Sequence, residues 1–215
     1  MSTVSIATHC VTSFLLLKLT FIGTGLRQRL YSRAFIVGDI SNATDRFVYL
    51  VLDIASGDTA IRYGILEALT ALGPAYSMYT KNTVAVTGTH SHSGPGAFFN
   101  YLLPQITSVG FLKPSYQAIV DGTVLSIKRA HESLKPGFLD FADTTIADAN
   151  INRSPSAYLA NPAAERAKYT DNVDKVLTLL RFKRESDGLN TGILGWHSVH
   201  GTSMYHNNTK VTGGK

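Results

Sequence analysis

Two histidines in a short glycine-rich segment are the residues of this sequence best suited to chemistry. Residues 87–96 read Thr-Gly-Thr-His-Ser-His-Ser-Gly-Pro-Gly and follow the apolar run 84–86. A polar loop directly after a buried strand is where α/β sheets place their sites. Side chains two apart on an extended segment point to the same face. His90 and His92 can therefore share a metal ion, or one can bind metal while the other contacts substrate; the alternative is a surface loop with incidental histidines.

A second histidine pair follows another apolar run. Residues 196–204 read Trp-His-Ser-Val-His-Gly-Thr-Ser-Met. Histidines three apart on a strand face opposite ways, so at most one joins a shared site unless the chain turns between them. His200 lies beside a glycine at the predicted strand end and is the better candidate, whereas His197 is interpreted as structural. His90 and His200 would give two neutral nitrogen ligands, which zinc accepts, although a catalytic zinc needs a third protein ligand.

A single arginine lies in a third polar segment. Residues 150–156 read Asn-Ile-Asn-Arg-Ser-Pro-Ser and follow another predicted strand. A cation before a Ser-Pro turn can orient a carbonyl group or stabilise an oxyanion, so Arg153 is a candidate site residue; the alternative is an ordinary surface arginine. No His-Glu-X-X-His helix, phosphate-binding Gly-Lys-Ser/Thr loop or Gly-X-Ser-X-Gly elbow occurs, which argues against a zincin, a nucleotide-binding enzyme and a serine hydrolase of the α/β-hydrolase type.

The elements that position these segments alternate between strands and helices. Asp58 and Thr59 can cap a helix whose residues Ile61, Ile65, Leu69 and Leu72 share one face, and Gly73-Pro74 ends it. A second amphipathic helix begins at Pro114-Ser115 and ends near 135–137. This order predicts an α/β fold, a mixed sheet with flanking helices. The predicted strands cover residues 34–37, 47–55, 82–87, 138–147, 176–182 and 192–199.

Composition limits the class of protein and its partners. The chain has 215 residues, of which 44% are hydrophobic and 16% charged, and this excludes a disordered chain, a coiled coil and a collagen. The net charge of +5 is scattered, so no nucleic-acid partner is expected, and loose attraction to an anionic membrane surface remains open. One cysteine, Cys10, allows no internal disulfide and no cysteine zinc site.

The first residues do not read clearly as a targeting signal. Residues 11–22 are mostly apolar, but Lys18 interrupts them and the run is too short to span a bilayer. Residues 2–9 contain no Lys or Arg, which a secretory signal would have at its start. A buried strand, or a start that is not the natural one, is favoured over a signal peptide.

Taken together, these motifs are similar to those of the neutral ceramidase family. Residues 88–96 resemble its Thr-His-Thr-His-Ser-Gly-Pro segment, residues 151–162 its Asn-Arg-Ser-Pro block, and residues 196–204 its Trp-X-X-X-His-X-X-Ser-Met stretch. Residues 25–35 fit the start of its first block. The resemblance covers roughly residues 23–212, in order and without large gaps.

The resemblance implies zinc-dependent hydrolysis of the N-acyl amide bond of ceramide, which yields sphingosine and a fatty acid. Carried over by position, His90 and His200 would be ligands of Zn²⁺, and His92 and Arg153 would contact the substrate amide or the developing oxyanion. Ceramide and other sphingolipids would be the substrates. A secreted or membrane-associated location is implied as well, although this N-terminus supports it only weakly.

The chain also departs from the family pattern. The family's nucleophilic serine lies in a Gly-Asp-Val-Ser-Pro segment that these 215 residues do not contain, and its further zinc ligands and C-terminal immunoglobulin-like domain are missing too. We therefore expect an atypical segment at 1–22 and a partial N-terminal catalytic domain at 23–215. Negligible activity of the chain alone and weakly held zinc are expected; the alternative is a non-catalytic truncated paralogue that acts as a lipid-binding or regulatory protein.

Overall fold

The computed structural model describes residues 4–12, 24–201, 204 and 208–213. The strands are β1 (Val4–Thr12), β2 (Gly25–Leu26), β3 (Tyr31–Asp39), β4 (Arg46–Leu52), β5 (Val84–Gly88), β6 (Lys135–Thr145), β7 (Val176–Arg184), β8 (Asn190–His197) and β9 (Lys210–Val211). The helices are α1 (Thr59–Ala71), α2 (Leu102–Thr107), α3 (Lys113–Glu132), α4 (Pro155–Leu159) and α5 (Ala163–Arg166). Among these helices, none combines the length and the apolar character that crossing a bilayer requires.

Seven of the strands form one mixed sheet in the order β5-β4-β3-β1-β6-β7-β8. The neighbours β4 and β5 run parallel, because α1 provides the crossover between them, and the other neighbours run antiparallel. Strands β2 and β9 form a separate parallel pair. The predicted α/β class with a mixed sheet and flanking helices is confirmed.

Helix α1 begins where the sequence predicted it. The Asp58 Oδ1 atom accepts hydrogen bonds from the backbone N–H groups of Ala60 at 2.8 Å and Ile61 at 3.3 Å, which caps the first turn. Ile61, Ile65 and Leu69 are fully buried, as predicted. The prediction that Leu72 shares this buried face was wrong. Leu72 is 39% exposed, because it is the C-cap residue and lies past the last full turn of the helix.

Helix α3 packs its buried face against α1, β1 and β3. Ile119, Val120 and Ile127 contribute that face, in agreement with the predicted amphipathic pattern. The helix ends at Glu132, close to the predicted end near 135–137, and residues 135–137 begin β6. They are drawn into the sheet because they pair with β1 and because Pro136 accepts a backbone hydrogen bond from Glu185.

The large sheet is strongly curled, and its concave face encloses a second core away from the helices. Phe35 on β3 packs against Phe182 on β7, with ring centroids 5.3 Å apart. The Trp196 Nε1–H group on β8 donates to the Tyr49 hydroxyl on β4 at 3.0 Å. Strands five positions apart in a flat sheet would be about 24 Å from each other. This hydrogen bond therefore shows that the edge strand β8 curls round to face β4, the neighbour of the other edge strand.

From position 13 onward, the apolar run 11–22 lies outside the described residues. The predicted strand and the signal-peptide alternative therefore stay untested there. Val4–Thr12 form β1, which pairs with β3 along its whole length and with the start of β6. This strand is the central one of the large sheet.

His131, near the end of α3, is expected to make the stability of the fold sensitive to acid. Its Nδ1 atom lies 2.8 Å from the Tyr79 hydroxyl and 3.2 Å from Nη1 of Arg46. Because arginine only donates, Nδ1 is the acceptor and the ring is neutral. Burial, with a further contribution from the positive charge of Arg46, lowers the pKa of His131 below the ordinary histidine value of 6.5.

The unfolded chain therefore binds a proton at His131 more readily than the folded chain does, and stability is lost as the pH falls below about 6.5. Urea unfolding at pH 7.5 and pH 5.5 should show a larger loss of unfolding free energy in the wild type than in a His131→Gln variant. Equal losses in the two proteins would contradict this role for His131.

Candidate metal centre

Three imidazole rings meet at one point of the surface. The Nε2 atom of His90 lies 3.1 Å from that of His92 and 3.1 Å from that of His200, and the His92–His200 distance is 3.2 Å. All three residues are exposed, and together they form a group of side chains able to hold a metal ion. The structure thus brings together three histidines that the sequence singled out, from segments 110 residues apart.

His90 is held in place by the loop between β4 and α1. Its Nδ1 atom lies 2.6 Å from the carbonyl oxygen of Ala55. Since a carbonyl only accepts, Nδ1 carries the proton, and the lone pair of Nε2 points toward the other two rings. A histidine whose second nitrogen donates to a backbone carbonyl is the usual arrangement for a metal ligand.

The convergence of His90 and His92 has a different cause from the one the sequence suggested. An extended segment would place both side chains on one face, but β5 ends at Gly88 and His90 has a φ of 61°, in the left-handed region. The chain therefore turns at His90, at a cost of about 1–2 kcal/mol, and the hydrogen bond to Ala55 helps to offset it. Gly88 is required nearby, because a Cβ there would lie 2.8 Å from the carbonyl oxygen of Ile54.

The loop that carries Arg153 is tied to the end of β8, close to His200. The Asn150 side-chain amide donates to the carbonyl oxygens of Asp174 at 2.7 Å and Ser198 at 2.5 Å. Asn152 accepts a hydrogen bond from the backbone of Ser154, which shapes the turn around Arg153. These contacts bring together the Asn-Arg-Ser-Pro segment and the strand end that precedes His200.

The electrostatic environment favours the neutral form of His200. Desolvation, followed by the positive charge of Arg153 and by the neighbouring His90 and His92, lowers the pKa of His200 below its usual value. The contribution of Arg153 shows that the guanidinium group lies within electrostatic reach of the cluster. Because an imidazole binds metal only in its neutral form, a lower pKa keeps His200 available as a ligand over a wider pH range.

The three nitrogens fit a divalent metal that accepts imidazole. Zn–N bonds of about 2.0–2.1 Å in tetrahedral geometry place two ligand nitrogens about 3.3–3.4 Å apart. The observed separations of 3.1 to 3.2 Å are close to this spacing. Three histidines with one further position open to solvent is also a ligand set of catalytic zinc sites.

His197 lies outside this cluster. Its Nδ1 atom donates to the carbonyl oxygen of Val176 on the neighbouring strand at 3.1 Å, so the ring stays on β8. Its Nε2 atom is buried and has no hydrogen-bond partner among the described residues. The structure therefore places only one histidine of the 197/200 pair at the candidate centre.

A cavity of about 800 Å³ opens beside His90 on the concave side of the sheet. Tyr49 and Trp196 give it an aromatic wall. Thr89 also lines it, and the buried Oγ1 atom of this residue has no hydrogen-bond partner in the described part of the chain. An ion pair also lines it, in which Nη1 of the half-exposed Arg33 lies 2.6 Å from Oδ1 of the buried Asp53. This pair was not predicted, because its two residues lie in separate, mainly apolar strand segments.

Fold and site together define a mixed α/β protein in which loops after the two edge strands of one curled sheet build a three-histidine centre of the metal-binding type. The family model of the neutral/alkaline non-lysosomal ceramidases, N-terminal region, matches residues 18–215. This chain belongs to that family.

Relatives from several kingdoms are similar to this chain in sequence. The chain is 41% identical over 193 residues to the neutral ceramidase of Oryza sativa, 39% identical over 194 residues to that of Drosophila melanogaster, and 37% identical over 191 residues to that of Mycobacterium tuberculosis. These matches cover 88–89% of this chain but only 24–29% of the relatives. The chain thus spans about a quarter of the length of the curated relatives it matches.

Solved structures share the fold. A ceramidase complexed with C2 superposes with a TM-score of 0.85 at 29% identity, and the neutral ceramidase from Pseudomonas aeruginosa with a TM-score of 0.83 at 30% identity. Both matches cover 98% of this chain and about a third of the solved chain, 33% and 34%.

Proposed function

We propose that this chain supplies the metal-binding histidines and an oxyanion-stabilising cation of a zinc-dependent amidase that hydrolyses ceramide. The observation that carries the proposal is the approach of the three Nε2 atoms of His90, His92 and His200 to within 3.1–3.2 Å of one another. Support for ceramide as the substrate comes from relatives that are named neutral ceramidases. The resemblance also supports a secreted or membrane-associated location.

Zinc is the metal we assign to the site, because it binds imidazole and favours four ligands with one position left open. When bound, zinc polarises a carbonyl oxygen and lowers the pKa of a bound water to about 7. The overall reaction breaks the amide C–N bond, adds the elements of water, and releases a carboxylic acid and an amine.

Arg153 is the residue we assign to the substrate carbonyl. An amide oxygen gains negative charge as the tetrahedral intermediate forms, and a guanidinium group directed at it stabilises that charge. His92 has two available roles. The Nε2 atom of His92 lies about as close to those of His90 and His200 as these two atoms lie to each other. The His92 side chain therefore either completes the ligand set or turns toward the substrate amide.

The cavity beside His90 supports an amphipathic substrate. Its walls combine the rings of Tyr49 and Trp196 with aliphatic side chains, and polar groups lie on the same walls. Pockets of about 300–1,000 Å³ are typical of small-molecule sites. The apolar walls suit hydrocarbon, and the polar groups suit the hydroxyl and amide groups of a sphingolipid.

A chimaera tests the proposal at full family length. The 193 matched residues of this chain would replace the corresponding segment of the Oryza sativa neutral ceramidase, to which they are 41% identical. We expect the zinc-loaded chimaera to release sphingosine from a short-chain ceramide, and the same chimaera carrying His90→Ala to release none above background. Liquid chromatography of the amine product provides the measurement.

A chimaera that is folded and zinc-loaded but inactive would refute the catalytic proposal. That result would favour the alternative, a non-catalytic lipid-binding or regulatory protein, and binding of the same ceramide without turnover would support it. Zinc content and circular dichroism distinguish this outcome from simple misfolding.

A further inference from the structure

An apolar patch projects from the region around α2. Six large side chains form it, and four of them are more than 60% exposed. We use the name α2 patch for Tyr101 (46% exposed), Leu102 (77%), Leu103 (73%), Ile106 (65%), Val109 (77%) and Phe111 (42%). Exposure of this size in neighbouring residues is larger than the scattered apolar residues of an ordinary surface, so the patch marks an interaction site.

The α2 patch lies in a stretch of chain without charged side chains. Residues 82–112 contain no Asp, Glu, Lys or Arg. The first charged residues beyond the two ends of this stretch are Lys81 and Lys113, both exposed. Lys81 precedes β5 and is separated from the patch by that strand, whereas Lys113 lies two residues after Phe111. The charge next to the patch is therefore positive, which complements an anionic surface.

Three polar side chains of the patch segment donate hydrogen bonds to backbone oxygens of the same segment. Gln105 Nε2 donates to the carbonyl oxygen of Phe99 at 3.1 Å, Thr107 Oγ1 to that of Pro104 at 3.0 Å, and Ser108 Oγ to the same oxygen at 2.6 Å. A protein interface ordinarily directs polar groups at its partner. Here they are already satisfied, which suits contact with hydrocarbon, where an unpaired polar group is costly.

The patch is fixed to the loop that also positions the metal centre. The backbone N–H of Asn100 donates to Oδ2 of Asp58 at 2.8 Å, and the Tyr101 hydroxyl donates to Thr59 at 3.0 Å. Asp58 lies three residues after Ala55, whose carbonyl oxygen holds His90. Phe98 anchors the base of the segment, since its side chain is fully buried. The exposed side chains of the patch thus belong to a segment that is hydrogen-bonded to the same part of the chain as His90.

We propose that the α2 patch inserts into the headgroup and upper acyl region of a phospholipid bilayer and lies there without spanning it. The basis is the combination of six exposed apolar side chains, an adjoining stretch without charged residues that ends at the exposed Lys113, and three polar side chains that bond within the segment. The proposal rests on the proposed function for its purpose, since docking on a bilayer brings the metal centre to a substrate that resides there. The binding itself does not depend on catalysis.

Vesicle flotation with the purified 215-residue chain tests the docking. Vesicles of phosphatidylcholine alone, and with phosphatidylserine, would contain no ceramide, so failure of binding and failure of hydrolysis are separate results. We expect the wild type to float with both vesicles and more strongly with the anionic ones. A Leu103→Asp/Val109→Asp variant should lose at least about tenfold in partition coefficient, because burying a charge in the bilayer is unfavourable.

The matched control is Leu159→Asp/Leu189→Asp, which places the same charges at side chains 63% and 58% exposed outside the patch. It should bind within about twofold of the wild type, and so should His90→Ala. Wild-type failure to float, or equal binding of the patch and control variants, would overturn the proposal. A wild-type dimer that the patch variant converts to a monomer, without vesicle binding, would instead assign the patch to a second copy of the chain. Circular dichroism of both variants verifies folding.

Discussion

Replacing any one of the three clustered histidines by alanine is expected to weaken zinc binding by at least about a hundredfold. Each removal takes away one of the three nitrogens that lie 3.1–3.2 Å apart, and two remaining imidazoles hold zinc poorly. Competition with a zinc-chelating dye at pH 7.5 measures the affinity, and the visible spectrum of the Co²⁺ form reports the ligand number. We expect one metal ion per wild-type chain.

The His92→Ala variant gives the most informative of these results. The family resemblance assigned His92 to the substrate and gave two zinc ligands, hence the expectation of weakly held metal. The geometry offers His92 as a third ligand. An unchanged zinc affinity in His92→Ala would contradict a ligand role and support contact between His92 and the substrate instead. His197→Ala is the matched control, since this histidine bonds to Val176 and lies outside the cluster; it should bind zinc as the wild type does.

Arg153→Ala in the chimaera is expected to lower kcat roughly 100- to 1,000-fold, the usual cost of removing a donor to a developing oxyanion. Arg153→Lys should recover only part of this loss, because an ammonium group lacks the planar pair of donors. Both variants should keep a full complement of zinc at pH 7.5. Steady-state hydrolysis of a short-chain ceramide gives the rates, and a kcat within a factor of three of the parent would contradict the role of Arg153.

A titration of the zinc-free chain provides a second readout for Arg153. Desolvation and, after it, the Arg153 charge lower the pKa of His200. Removing the guanidinium group should therefore raise that pKa, and proton NMR of the His200 ring would follow the shift. A purely structural arginine would leave the His200 titration where it was.

Local sequence patterns predicted most of the elements but not the architecture. The Asp58 cap and the spacing of Ile61, Ile65 and Leu69 were sufficient for α1, because these signals act within one or two helical turns. The curled sheet was not predictable, since it depends on pairs such as Tyr49 and Trp196, which are 147 residues apart. The short helices α2, α4 and α5 carry no strong periodic pattern and were missed.

The candidate site was predictable in its residues but not in its geometry. His90, His92, His200 and Arg153 stand out because histidine and arginine follow apolar runs in polar, glycine- or proline-containing segments. The sequence could not show that the chain turns at His90 or that the Ala55 carbonyl oxygen fixes its tautomer. A backbone carbonyl has no residue-type signature, so such a partner is visible only in three dimensions.

The strand order gives the histidine cluster a mechanical consequence. His90 follows β5 and His200 follows β8, and these strands form the opposite margins of the seven-stranded sheet. An ion bound to both histidines would close a loop of 110 residues. Its binding free energy would then stabilise the curled form of the whole sheet. Loss of the ion would then first loosen the two edge strands, which are far apart in the chain but side by side in space.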